Sequence, residues 1–350
     1  MYKVVLLVAL LFSLSFAAAA QQSPLSQPEY VRQLYVIEKD PSLTPELIDS
    51  VRSRGISFVL TPGLLSLTRT KSRNNSDLRR ALEEAERRRS DPSARPPSQR
   101  EADELLRVAR ERTLAALEEM PDFVVKQLIQ RGDALAGTNN FRTRDRLVVA
   151  VSYRASGQEE YKVLSVNGLV QPDPEPRSNY HEVGGTSSTG EFVTVLATIF
   201  KPESETRFSV VDNDVLRGRR AVMFDFEIDK ERAKQTISYG SLLRDTTISG
   251  MKGRVWIDRE TYRVLRIESD ATEIPEGFPI TSARRTVDYD WTTISDVNYL
   301  LPSISDVRLT QLYRGTKFES RNVIRFREYQ KFGTEVRVSE DDEEIVLDDQ

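Results

Sequence analysis

The spacing of apolar residues changes near Phe123, and this change divides the chain into a helical part and a sheet-forming part. Before it, apolar residues recur every three or four positions, as in residues 78–85, which is the period of an amphipathic helix. After it, apolar and polar residues alternate, as in residues 147–153, which is the period of a strand with one buried face. A run of helices followed by a run of strands predicts the α+β fold class.

Residues 43–90 predict a series of short helices. Thr44 and Thr61 each place a capping hydroxyl directly before a proline, and the two segments around them form a degenerate two-unit repeat. The stretch rich in serine and proline that ends at Ser98 predicts a linker. Ser98 and Glu101 then match a capping box, which predicts a longer helix directly after the linker.

One helix, over residues 190–200, is predicted to interrupt the strands. Ser188 and Glu191 match a second capping box, and the residues that follow form a strongly apolar helix face. Short turns that end in Gly168 and Gly315 join neighbouring strands into an antiparallel meander. Because a helix inside such a meander must bury its apolar face, we expect it to lie across the concave face of the sheet.

The first twenty residues have the layout of a cleaved secretory signal. A short positive start is followed by an apolar stretch at 4–16 and by alanines at 17–20, and the apolar stretch is too short for a membrane span. We expect cleavage after Ala20, with an uncleaved anchor as the alternative. Gln21 stands where an acylated cysteine would stand in a bacterial lipoprotein. The sequence therefore predicts an exported protein, periplasmic with secretion as the alternative, that is not an integral membrane protein.

Composition excludes several kinds of chemistry. The chain has no cysteine and a single histidine, His181, which excludes thiol nucleophiles, iron–sulfur clusters and metal sites with two histidine ligands. The formal net charge of −4 argues against a dedicated polyanion binder. An arginine run near the linker is interleaved with glutamates, which predicts a solvated helix with internal ion pairs rather than a surface for nucleic acid, anionic lipid or an acidic partner. These arginines are Arg79, Arg80, Arg87, Arg88, Arg89 and Arg95.

The candidate catalytic motifs are weak. The glycine-rich segment 184–190 could present backbone amides to an anion, but no lysine follows it, so we expect a hinge with a helix cap. His181 with Ser187 or Ser188 suggests a serine hydrolase, yet the Gly-x-Ser-x-Gly pattern is missing at both serines. No spacing singles out a pair of carboxylates. We therefore predict a protein that is not an enzyme, with no catalytic residue, no cofactor and no metal.

Several structural motifs of the second half resemble the LolA/LolB-like family of periplasmic carriers. These motifs are the helix that ends at Met120-Pro121-Asp122-Phe123, the Gly168 turn, the helix at 190–200, and the strands 253–258 and 262–267 with their Asp-led turn. The resemblance covers about residues 115–337. It implies an unclosed β half-barrel whose concave face is covered by helices. The chain is also similar in overall style to a group of uncharacterised exported bacterial proteins.

Together these patterns predict five segments. They are a signal peptide at 1–20, a small helical region at 21–90, a linker at 91–98, a helix with an antiparallel half-barrel at 99–338, and an acidic, loose tail at 339–350.

The apolar face of the strands, beneath the helix at 190–200, is the best candidate for a functional surface. It is either a pocket for an acyl chain or simply packed core, and the sequence leaves both interpretations open. The predicted ligand-contact residues are Val222, Phe224, Phe226, Ile228, Leu265, Ile267, Ile324 and Phe326. The predicted gating residues on the helix are Phe192, Leu196, Ile199 and Phe200.

The sequence thus predicts a non-enzymatic carrier that binds a hydrophobic or acylated ligand, or a lipidated protein. The alternative is an interaction or scaffold module with a fully packed half-barrel, in which the N-terminal helices bind a protein partner. A hydrolase of unknown type is third.

Overall fold

The computed structural model describes residues 23–91, 94–172, 190–239, 245–334, 336–339 and 342. The chain forms two compact units, residues 1–94 and 95–350. The predicted signal at 1–20, together with His181, Ser187, Ser188 and the glycine-rich segment up to residue 189, lies outside the described residues. Among the helices that the structure describes, none is both long enough and apolar enough to cross a membrane.

The first unit is helical. Its helices are α1 (Gln27–Lys39), α2 (Thr44–Arg54), α3 (Pro62–Lys71) and α4 (Ser76–Ser90). They bury one shared apolar core that includes Tyr30, Leu47, Phe58 and Leu82. Each helix has only one apolar stripe, so the helices are held together by burying these stripes in a common core.

Two details of this unit differ from the sequence prediction. Helix α1 was not predicted, although Ser26 caps its first turn and Tyr30, Leu34 and Ile37 recur at helical spacing and are buried. The two Thr-Pro segments also behave differently. Thr61 accepts a hydrogen bond from the backbone of its helix, whereas Thr44 lies inside α2, behind a 3-10 turn, and caps nothing. The prediction of a cap at Thr44 was wrong, because the preceding turn already starts the helical path.

Five of the six arginines of the run lie on α4, and three of these pair within the helix, as predicted; Arg95 lies beyond α4, at the start of the second unit. Arg80 pairs with Asp77, Arg87 with Glu84 and Arg89 with Glu86, each three residues apart. Arg88 donates to the backbone oxygen of Arg52 on α2. Arg80, Arg87, Arg88 and Arg89 are therefore used inside the first unit.

The second unit contains a twelve-stranded sheet. Its helices are α5 (Gln99–Glu118), α6 (Thr194–Phe200) and α7 (Lys230–Ala233). Its strands are β1 (Phe123–Leu135), β2 (Arg142–Tyr153), β3 (Glu159–Val166), β4 (Leu169–Val170), β5 (Arg207–Leu216), β6 (Arg219–Ile228), β7 (Gln235–Tyr239), β8 (Asp245–Asp258), β9 (Val264–Thr272), β10 (Ile280–Ile294), β11 (Val297–Tyr313) and β12 (Thr316–Lys331).

The sheet is antiparallel and is not closed. Its strand order is β4-β3-β2-β1-β12-β11-β10-β9-β8-β6-β5, with β7 paired to β8 outside this path. Within the described residues, the two end strands β4 and β5 do not pair with each other. The predicted fold class, α+β with an unclosed antiparallel half-barrel covered by a helix and preceded by a small helical region, is confirmed.

The predicted turns at Gly168 and Gly315 are confirmed. Asn167 and Gly168 both have positive φ, as do Arg314 and Gly315, which is the backbone conformation of the two-residue turns that match the twist of a hairpin. Glycine suits the second position because it adopts positive φ without steric cost.

The turn led by Asp258, between β8 and β9, is held by its carboxylate. One carboxylate oxygen accepts the backbone N–H groups of Glu260 and Thr261, and the other accepts Arg219 Nε from β6. Asp258 itself is buried. Burial opposes ionisation, but the bonds from Arg219 and the two amides outweigh it and hold the pKa of Asp258 below its ordinary value of 3.8.

We expect Asp258→Asn to destabilise the second unit by about 2 kcal/mol at neutral pH, since hydrogen bonds to a charged acceptor are lost. A carboxyl whose folded-state pKa is lowered stabilises the fold fully above pH 3.8 and loses that contribution as the pH falls through the folded-state pKa. Urea unfolding should therefore show the difference from wild type shrinking in acid. Asp296→Asn, at an exposed turn position, is the control, and a pH-independent difference at Asp258 would contradict this account.

Helices α5 and α6 both pack on one face of the sheet. The capping box at Ser98 and Glu101 is present, as predicted. Ser188 of the second predicted box lies outside the described residues; α6 itself begins at Thr194, and its N-cap, Val193, makes no side-chain cap. Glu191 thus precedes the helix, in a turn, and the covering layer contains α5 as well as the single helix that was predicted.

The C-terminal segment is only partly as predicted. Val336 and Val338 pack against an apolar patch of β1, β2 and β3 on the face opposite the helices. Asp342 is buried, and its carboxylate accepts Lys126 Nζ at 3.0 Å. The prediction of a loose acidic tail was wrong at this aspartate, because the buried Lys126 ammonium, which also pairs with Glu328, needs negative charge beside it.

Candidate functional site

The candidate site is the face of the sheet beneath α5 and α6, and its side chains form two apolar clusters. Cluster 1 joins strands β6, β8, β9 and β10 to both helices. It contains the predicted ligand-contact residues Val222, Phe224, Phe226, Ile228 and Ile267 and the predicted gating residues Leu196, Ile199 and Phe200. The structure therefore brings eight of the twelve predicted residues together in one cluster.

Cluster 2 is centred on Phe192, which lies just before α6. Its ring contacts Phe123 at 5.3 Å, Phe326 at 5.5 Å and Tyr153 at 5.9 Å between centroids. These are distances at which edge-to-face and tilted aromatic pairs attract. Ile324 also belongs to this cluster, so three further predicted residues meet here.

Leu265 is the exception, and its assignment to the helix-covered face was wrong. It packs with Leu216, Met223 and Trp256 in a separate cluster, on the opposite face of the sheet. The cause is a β-bulge: Trp256 pairs with Arg266 while Ile257 pairs with Val264, so Leu265 is an extra residue on β9. A bulge breaks the strict alternation from which the face was predicted.

The predicted contact residues are packed against one another in this structure. Phe226 is 3% exposed and Phe192 is fully buried. Phe208 bridges Phe226 and Phe200, with ring centroids 6.4 Å and 5.9 Å away. A ligand among these side chains would have to replace contacts that already exist, so binding there requires a helix to move.

A pocket of about 430 Å³ opens at the edge of cluster 2. Ile294 and Tyr299, which belong to that cluster or pack against it, form part of its wall. The remaining lining residues are Pro121, Asp122, Ser295, Val297, Lys331 and Phe332. The volume is within the range of small-molecule sites, and the apolar wall suits a hydrocarbon group.

A second pocket, of about 290 Å³, lies near the C-terminal segment. Arg146, Ser165, Asn167 and Asp342 contribute its polar lining. None of its lining residues is a predicted contact or gating residue.

Three neutral polar side chains on the helix-covered face were missed by the sequence prediction. Gln127 lies directly opposite Phe326 and Val149, and Ser305 lies opposite Ile324. Residues that face each other across antiparallel strands share a side of the sheet. Tyr289 belongs to cluster 1 itself. The sequence did carry a sign of this in β1: Gln127 stands between the apolar residues Val125 and Ile129, whose side chains face the same side of the sheet.

These polar groups are buried without hydrogen bonds. Gln127 and Ser305 are fully buried and Tyr289 is 1% exposed. Within the described part of the chain, both amide atoms of Gln127, Ser305 Oγ and the Tyr289 hydroxyl have no hydrogen-bond partner. Each such group costs about 1–3 kcal/mol, so their retention on an otherwise apolar face calls for an explanation.

Charged groups also lie near this helix-covered face of the sheet. Burial raises the pKa of the Glu159 carboxyl, although the hydroxyl of Tyr161 donates a hydrogen bond to it. Glu191 and Arg285 are close enough to act on Glu159 and Tyr289 electrostatically. Burial raises the pKa of Tyr289 far above its ordinary value, so its hydroxyl stays protonated and can donate.

The described residues contain no group of three or more histidine, cysteine, aspartate or glutamate side chains placed to hold a metal ion. The predicted but disfavoured histidine–serine pair lies outside the described residues.

Comparisons with known proteins find likenesses only at low similarity. No family model matches the chain, and no curated protein matches it. A DUF1329 family protein from Desulfovibrio piger is similar, with 9% identity, 66% of this chain and 95% of that chain covered, and a TM-score of 0.29. MucB in complex with MucA(peri) has 11% identity, coverages of 62% and 93%, and a TM-score of 0.17. The Pseudomonas aeruginosa MucA/MucB complex has 11% identity, coverages of 63% and 94%, and a TM-score of 0.18. At these values the likenesses support no inference about ligand, partner or activity.

Proposed function

We propose that this protein is a non-enzymatic binding protein that, after export to the periplasm, takes up a hydrophobic or lipid-like ligand in its second unit. The ligand enters at the pocket beside Tyr299 and lies against cluster 2. The segment that carries Phe192 and α6 moves aside to admit it.

The observation that carries this proposal is the pocket of about 430 Å³ whose wall is continuous with cluster 2. Burying a methylene group is worth about 0.8 kcal/mol, so a chain that extends from the pocket into the cluster gains affinity with each carbon. Helix α6 has only seven residues and no side-chain cap. Short helices depend on tertiary packing for their stability, so α6 is an element that a competing apolar chain can displace.

The alternative is an interaction module whose helix-covered face is permanently packed. The close packing of Phe192 and Phe226 favours it. The first unit also exposes apolar side chains, among them Tyr35 at 47% and Val59 at 58%. The two functions differ in one respect that can be measured, because only the carrier binds an apolar probe with saturation.

We expect Val297→Arg to weaken binding of the apolar dye N-phenyl-1-naphthylamine by about tenfold or more. Val297 lines the pocket and is 51% exposed, so the change places a charge in the pocket without disturbing the core. The measurement is a fluorescence titration of purified protein. Val170→Arg makes the same change at a residue that is 63% exposed on the edge strand β4 and should bind like wild type. Equal affinities for the two variants, or no saturable binding by wild type, would contradict the proposal.

A further inference from the structure

The three unpaired polar side chains of the helix-covered face lie on the central strands of the sheet. Gln127 is on β1, Ser305 on β11 and Tyr289 on β10, and the order of these strands is β1-β12-β11-β10. Neighbouring strands are about 4.8 Å apart, so across the sheet Gln127 is roughly 10 Å from Ser305 and roughly 14 Å from Tyr289. A head group that contacts all three side chains must therefore do so with the help of bridging water.

Their chemistry defines what they can bind. An amide both donates and accepts hydrogen bonds, and so does a hydroxyl. All three side chains are neutral, so they supply no opposite charge to a charged head group, and burying an unpaired charge is costly. A complementary head group is therefore uncharged and carries both a donor and an acceptor.

Resting on the proposed function, we propose that the ligand is a neutral amphipath with an amide or hydroxyl head group, and that Gln127, Ser305 and Tyr289 bind this head group while the apolar clusters bind its chain. Buried polar groups that serve structure alone are normally paired. Gln130, on the opposite face of the same strand, differs in part: its amide nitrogen donates to Thr143 at 3.2 Å, and among the described residues only its amide oxygen lacks a partner. The unpaired groups are kept at a cost to the unliganded fold, as binding groups often are.

The test uses Gln127→Met, which keeps the side-chain volume and removes the amide, and Gln130→Met as its matched control. Tyr289→Phe is a second variant that removes one hydroxyl only. Displacement of N-phenyl-1-naphthylamine is measured with decanamide, decanoate and decyltrimethylammonium, which share a chain length and differ in head group. Thermal unfolding is followed for each protein.

For wild type and Gln130→Met we expect decanamide to displace the dye at an about tenfold lower concentration than either charged compound. In Gln127→Met and Tyr289→Phe this preference should fall by about fivefold or more. Their unfolding temperatures should not fall, because an unpaired buried group has been removed. A residue with a merely structural role would instead lower the unfolding temperature and leave the preference intact.

Two results would overturn the inference. Equal displacement by all three compounds on wild type, with the dye still bound, would refute head-group recognition and leave hydrophobic binding standing. If the preference for decanamide is unchanged in both Gln127→Met and Tyr289→Phe, these residues do not bind the head group. If wild type does not bind the dye at all, the proposed function fails and this inference fails with it.

Discussion

Replacing Gly253 by valine should destabilise the second unit by about 4 kcal/mol or more, at the upper end of single-substitution effects. Gly253 lies on β8 between Phe226 and Ser269. A Cβ atom there would stand 1.9 Å from the backbone oxygen of Glu268 and 2.8 Å from Cα of Ser269. Backbone atoms cannot rotate away as a side chain can, so the strands themselves must separate.

The effect can be measured specifically in the second unit. Both tryptophans of the chain, Trp256 and Trp291, belong to that unit, so tryptophan fluorescence during urea unfolding reports on it. Lys252→Ala, at the exposed neighbouring position, should change the free energy of unfolding by no more than about 0.5 kcal/mol. If Gly253→Val unfolds at the same urea concentration as Lys252→Ala, the result would contradict the close approach of the β9 backbone to Gly253.

Phe192→Ala is expected to cost about 3–4 kcal/mol, the usual range for deleting a buried aromatic ring. The ring lies against Phe123, Tyr153 and Phe326, and the space it leaves cannot fill without moving the strands. Phe192→Leu keeps most of the volume and should cost less than about 1.5 kcal/mol. The same urea unfolding by tryptophan fluorescence measures both.

The same variant also tests whether Phe192 must move for a ligand to bind. If the ligand displaces the ring, removing the ring lowers the cost of opening, and Phe192→Ala should bind N-phenyl-1-naphthylamine about tenfold more tightly than wild type. Should the variant instead bind the dye more weakly, Phe192 would be a ligand contact and not a gate. Unchanged affinity would place the dye away from cluster 2.

Much of the architecture follows from local patterns. Alternation along residues 222–228 predicts an inward face because side chains of a strand point to opposite sides, and the turn at Gly168 follows from the positive φ that glycine accepts. The pairing of β1 with β12 was not predictable in this way, because two strands nearly 200 residues apart in the chain meet through the whole topology. The bulge at Leu265 likewise depends on pairing and has no signature in its own sequence.

The candidate site was predictable only in its apolar part. Periodicity locates Phe226 and Ile324 on one face because burial favours apolar side chains. Whether that face is core or pocket depends on how closely α6 packs, which periodicity does not determine. Gln127 carried a usable signal, since a polar residue in an inward row is costly. Its lack of a partner becomes visible only when the neighbouring strands are in place.

Native mass spectrometry of the wild-type protein with decanamide tests most directly whether the second unit takes up a hydrophobic ligand at the pocket beside Tyr299. We expect one bound decanamide per chain for wild type and for Val170→Arg, and little or none for Val297→Arg. Wild-type protein that stays free of ligand at every decanamide concentration, or that takes up decanamide equally in both arginine variants, would contradict this account.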